Sequence, residues 1–238
     1  MWNYFIYNPL YNTFVFILGH LPNYSVAGAV IIFTILIKII LFPIYKKSIL
    51  SQRGLKKVEP QLKELQKKFK DDKTELGKQT MALYKENGIN PFSSIGLLLI
   101  QLPILIGLYL VFANGLQNHP EHLYSFVRFP ENINTLMFGF IDAGKPFILL
   151  GVLAGITQAI QARISFPKPL ETQKKTDEAV SFGDEFAKSM RIQVIYVLPA
   201  FIVLLSIKLP SAITLYWVVA NVFGIIQEKY VKSYKAEQ

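Results

Sequence analysis

Of the 238 residues, 52% are hydrophobic and 17% charged, and the mean hydropathy is +0.34; this is too apolar for an ordinary soluble domain and leaves several runs long enough to span a bilayer. Zero cysteines exclude disulfides, thiolate metal sites, a cysteine nucleophile and a lipid-anchoring cysteine. The net charge of +9 falls mostly in loops, as in membrane proteins that gather Lys and Arg on the cytoplasmic side, so no specific nucleic-acid sequence is expected as a partner.

The fold expected is an all-α integral membrane protein with five transmembrane helices, a cytoplasmic amphipathic helical hairpin and an N-terminal interfacial helix. Residues 1–22 mix Trp2, Tyr4, Phe5, Tyr7, Tyr11, Phe14 and Phe16 with Asn and Pro, which suits a helix lying along the membrane surface, the alternative being a frayed terminus. They lack a basic n-region and a small-x-small cleavage site, so they are kept as part of the mature chain.

The first span is expected at 24–45. Its run VAGAVIIFTILIKIILF carries Lys38, followed by Pro43 and the pair Lys46, Lys47. An ammonium in hydrocarbon costs roughly 2.5 to 3.5 kcal/mol on insertion scales, so it needs a cavity, a partner or an escape route. Lys38 lies on the order of 12 Å inward from Lys46. It is either a snorkelling lysine or a charge facing a cavity.

Residues 46–90 hold 12 Lys or Arg and 6 acidic residues, with Leu62, Leu65, Phe69, Leu76, Met81, Leu83 and Tyr84 at helical spacing. Two amphipathic helices are expected, joined near Asp71 to Thr74 and closed by Asn87-Gly88; a solvated charged loop is the alternative. The second span is 91–113, with Gln101 and Pro103 inside it. An outer loop, 114–146, leads to the third span, 147–164, where Gly151 and Gly155 form a small-xxx-small packing face. A cytoplasmic loop, 165–191, a fourth span, 192–207, a fifth, 209–227, and a short basic tail, 228–238, complete the chain. The bias of Lys and Arg puts the N-terminus outside or at the outer interface and the C-terminus on the cytoplasmic side.

Polar residues recur at membrane depth. Thr34 shares a helical face with Lys38, and the other spans carry Gln101, Gln158, Gln161, Gln193, Thr214, Trp217 and Asn221. No Asp or Glu is expected at that depth, so Lys38 has no built-in counter-ion and a hydrated site is favoured. The plainer account is that these side chains join helices through hydrogen bonds, each worth about 0.6 kcal/mol. His20, His119 and His122 lack metal-ligand spacing, and neither a phosphate loop nor a nucleophile elbow is present. No enzyme activity and no cofactor are expected.

Several segments together resemble the YidC/Oxa/Alb family of membrane protein insertases, in the short form without a large extracytoplasmic domain. They are TILIKIILFP, VEPQLKELQKKFKDD, MALYKENGINP, LLIQLPILIGLY, LAGITQAIQ and LPAFIVLLSIKLPSAITLYWVVANVFGIIQ. The resemblance implies a five-helix core and a hydrophilic groove open to cytoplasm and lipid but closed outward. A basic residue inside that groove falls by position on Lys38, where the family most often has Arg; lysine lacks the bidentate fork. Gln161 and Trp217 fall on the groove surface by their positions in LAGITQAIQ and LYW. The partners implied are nascent membrane proteins, membrane lipids, and on the cytoplasmic side the ribosome and a translocation channel or targeting factor. A small transporter or channel and a non-catalytic assembly factor remain as alternatives.

Overall fold

The computed structural model describes residues 2–70, 72–90, 93–113, 116, 119–165, 189 and 191–234. Most of the expected loop 165–191 and the last four residues of the tail lie outside the described residues.

Ser25 starts helix α2 (Val26–Ile40): it is extended (φ −71°, ψ 116°), and its hydroxyl accepts from Gly28 N–H at 3.3 Å. A hydroxyl here satisfies one of the N–H groups that a helix start leaves unpaired. The helix stops at Leu41, because Pro43 has no N–H and its ring crowds the carbonyl four residues back. α3 (Phe42–Lys68) then departs at 61° to α2. The stretch 24–45, expected as one span, is therefore broken, and the first helix of the charged region begins at Phe42 rather than at residue 46.

Asp72 caps α4 (Lys73–Glu86) by accepting from Glu75 N–H at 2.9 Å. The helix closes at Asn87-Gly88, where Gly88 takes φ 62° and Ile89 N–H reaches the Tyr84 carbonyl at 2.8 Å, a left-handed C-cap. α4 packs on α3, but none of its residues is buried.

Four further helices are described: α5 (Ser93–Ala113), α6 (Ile148–Ser165), α7 (Leu198–Ser206, entered through a π-helical turn Gln193–Val197) and α8 (Ser211–Tyr234). α8 is the hub, packed on α2, α3, α5 and α6. Of its apolar window 61% is buried, against 33% for α6, so α6 keeps one face outward. That face is Ile148, Leu149, Val152, Leu153, Ile156 and Ile160, all exposed and suited to hydrocarbon. By length and composition α6 and α8 are each sufficient to cross a membrane, and α2 with α3 makes a third if the bent pair is one span. The described apolar stretches Leu99–Phe112 and Gln193–Ser206 are shorter.

α7 lies close against α6, because a Cβ at Gly151 would strike the Ser206 side chain. One at Gly155 would lie 2.6 Å from Val203 Cγ2 and 3.1 Å from the Pro199 carbonyl.

A π-helical turn (Asn3–Tyr7) leads into α1 (Asn8–Gly19). Tyr11, Phe14, Val15 and Leu18 are buried, and the Phe14 ring stands edge-on to Phe33 (5.2 to 5.9 Å for its two partners) and Phe112. One face of α1, the helix expected to lie along the membrane surface, is thus part of the core.

The segment 119–146 covers one end of the helices. Asn12 Oδ1 accepts from Tyr124 N–H and its Nδ2 donates to the His122 carbonyl, both at 2.7 Å. Strands β1 (Leu136–Met137) and β2 (Ile141–Asp142) form a small antiparallel pair. Around them, the Asn134 carbonyl takes Val26 N–H at 3.1 Å, and the Lys145 and Ala143 carbonyls take Ser211 and Ala212 N–H, each at 3.0 Å. The segment thus supplies acceptors to the unpaired N–H groups at the starts of α2 and α8.

Candidate functional site

On α8, residues Thr214, Trp217, Asn221, Gly224 and Glu228 recur every three or four positions and so share one face. On α6, Ala154, Thr157, Gln161 and Ser165 do the same. The two faces meet in pairs. Asn221 Nδ2 donates to the Ala154 carbonyl (3.3 Å) and to Thr157 Oγ1 (3.2 Å). Gln161 lies over Gly224, where any side chain would collide with its amide. Ser165 Oγ donates to Glu228 at 2.5 Å. Lys232 Nζ then pairs with Glu228 at 2.8 Å and donates to the Ile164 carbonyl at 2.7 Å, filling an acceptor that the end of α6 leaves open.

Lys38 stands at the edge of this polar seam. It is half-buried, and among the described residues no carboxylate pairs with it. Its Nζ is 5.8 Å from the centre of the Tyr45 ring. The Tyr45 hydroxyl accepts from Gln161 Nε2 at 3.2 Å and donates to the Gly224 carbonyl at 3.4 Å. Lys38, Gln161 and the Asn221 seam are thus connected across α2, α3, α6 and α8.

The other expected residues are distributed more widely. Gln158 is half-buried on α6. Thr34 is fully buried and donates to the Val30 carbonyl of its own helix at 2.6 Å. Thr214 is fully buried, and its hydroxyl has no partner among the described residues. Gln101 donates to the Tyr216 hydroxyl, joining α5 to α8, and Trp217 is half-buried against the core. Gln193 is exposed at the start of the π-helical turn, and among the described residues no hydrogen bond joins it to the other eight. Among the described residues there is no group of three His, Cys, Asp or Glu able to hold a metal ion.

The sequence matches the model of the 60Kd inner membrane protein family over residues 17–238. The chain belongs to the YidC/Oxa/Alb family. Three relatives of the family are each called a membrane protein insertase. The YidC of Clostridium tetani is 36% identical over 217 residues, which cover 91% of this chain and 85% of the relative. YidC 1 of Listeria monocytogenes is 32% identical over 232 residues (95% and 70%). The YidC of Alkalihalophilus pseudofirmus is 31% identical over 234 residues (95% and 80%).

Three residues of this YidC/Oxa/Alb chain that sequence reasoning passed over belong to the same junction. Tyr45 is the last residue of the expected first span, 24–45. Gln227 donates from Nε2 to the Lys38 carbonyl at 2.9 Å, the acceptor that Phe42 would have filled in an unbroken helix. Glu228 is the first residue of the expected tail, 228–238. It is 2% exposed, because nothing after Gln227 stops the helix and α8 runs on to Tyr234. Its position on the stripe 214, 217, 221, 224 was the available signal.

Proposed function

We propose that this chain is a membrane protein insertase of the bacterial inner membrane, receiving nascent membrane proteins at the junction of α2, α6 and α8. In this reading five spans cross the bilayer: α2 with the start of α3, α5, α6, α7 with its π-helical turn, and α8. The N-terminus is outside and the C-terminus inside. The α3–α4 pair, within a stretch of 12 basic residues, faces the cytoplasm, where it meets a ribosome, a translocation channel or a targeting factor.

One observation carries the reading: a half-buried ammonium in an apolar helix, without a carboxylate partner among the described residues, beside a seam of polar side chains. An unpaired charge at that depth is costly, and a hydrated groove accounts for its presence. Lys38 attracts the acidic outward-moving segment of a client and so shortens its path through hydrocarbon. The membrane potential, positive outside, assists each outward-moving negative charge by about 2.3 kcal/mol per 100 mV. Burial of the client's apolar helix in lipid supplies the remaining drive, and no bond is made or broken.

The test is insertion of a single-span client into vesicles containing only this protein, with an acidic or a neutral outer tail. Lys38→Ala should lower insertion of the acidic client about tenfold, the factor that about 1.4 kcal/mol of lost attraction corresponds to; Lys38→Arg should keep it. Normal insertion of the acidic client by Lys38→Ala would refute the proposed role of the charge.

A further inference from the structure

A lysine at the depth of residue 38 has a default escape: its four-carbon stem lets the ammonium snorkel toward the nearer polar surface. Here an aromatic ring is found beside it. Lys38 and Tyr45 are two helical turns apart on one face of the chain, on either side of the break at Leu41, and Nζ lies 5.8 Å from the ring centre. The ring is itself tethered, since its hydroxyl takes a hydrogen from Gln161 on α6 and gives one to the Gly224 carbonyl on α8. Gly224 has no side chain to displace Gln161 from that position.

The choice of partner matters chemically. A carboxylate would hold the ammonium and also neutralise it, leaving little for a client to sense. The face of an aromatic ring attracts a cation through its quadrupole and carries no net charge, so the ammonium is fixed while its charge stays available. The buried acid on the same seam, Glu228, already has Lys232 and Ser165 as partners.

We infer that Tyr45 is a positioning residue for Lys38: its ring holds the ammonium at the α2–α6–α8 junction, and its hydroxyl, anchored to both α6 and α8, fixes the ring. This rests on the insertase reading and names the residue that sets the reach of the charge toward acidic clients.

The vesicle assay with paired acidic-tail and neutral-tail clients tests it. In Tyr45→Leu the ratio of acidic to neutral insertion should fall about fivefold, the size of a partly desolvated cation–π contact. Tyr45→Phe, which keeps the ring and loses its anchors, should fall between Tyr45→Leu and the unmodified protein. The double variant Lys38→Ala/Tyr45→Leu should lose no more of the ratio than Lys38→Ala alone, because the two residues act as one unit. A merely structural role would lower both clients alike and leave the ratio unchanged, and that result overturns the inference. If Lys38→Ala abolishes the acidic preference and Tyr45→Leu leaves it intact, the positioning role fails and the insertase reading stands. If Lys38→Ala leaves the preference intact, the charge mechanism itself fails. Should Tyr45→Leu not assemble in the membrane, Tyr45→Met, which is unbranched and adapts to irregular gaps, replaces it and is read in the same way.

Discussion

Glu228 and Gln227 are neighbours on α8 that meet different demands. Gln227 donates to the carbonyl of Lys38, and its own Oε1 has no partner among the described residues, so only half of its amide is satisfied. Glu228 is fully served by Ser165 and Lys232. Breaking a fully buried ion pair costs several kcal/mol because a charge is left stranded. Lys232 retains 34% side-chain exposure and is able to turn to water, so the penalty here is smaller. Glu228→Ala should cost about 1 to 3 kcal/mol through the donor of Ser165 and the weakened cap on α6. Glu228→Gln, which keeps an acceptor for Ser165, should cost less. Thermal unfolding of the purified protein in detergent measures both.

Between elements, closeness of approach decides the packing. α6 meets α7 through Gly151 and Gly155, where a side chain would run into Ser206, Val203 and the Pro199 backbone. Within a bilayer helices gain nothing from leaving water, so association rests on such close van der Waals contact and on hydrogen bonds. α6 meets α8 through hydrogen bonds instead, with Asn221 reaching the Ala154 carbonyl and Thr157. Gly155→Leu should force the two backbones apart and destabilise the protein by about 1 to 3 kcal/mol. The Pro199 carbonyl is backbone and has little freedom to yield. The expected sign is a lower unfolding temperature together with weaker crosslinking between cysteines introduced on the facing ends of α6 and α7.

At the scale of the molecule, the helices are closed at one end by the segment 119–146, whose carbonyls pair with the first N–H groups of α2 and α8 and which docks on α1 through Asn12. Asn12 is 3% exposed and makes three hydrogen bonds, the third to the Asn8 carbonyl at 2.8 Å. Asn12→Ala would leave Tyr124 N–H and the His122 carbonyl without their partner, at a cost of about 1 to 3 kcal/mol. The segment should then become more accessible to protease, while unchanged digestion would show that its other ties hold it alone.

What was legible in the sequence was what depends on neighbours along the chain. Hydropathy and charge runs marked apolar helices and the charged region between them, Asn87-Gly88 marked the end of α4, and Gly151 with Gly155 marked a close packing face. Lys38 was conspicuous because a charge in an apolar run violates a local rule. The burial of α1, the partnership of Glu228 with Ser165 and the tether from Tyr45 to Gln161 and Gly224 were decided only by the tertiary structure. Each brings together side chains on different helices, and the register between two helices is set by which small and polar residues face each other across the gap. Periodicity within one helix carries no information about that choice.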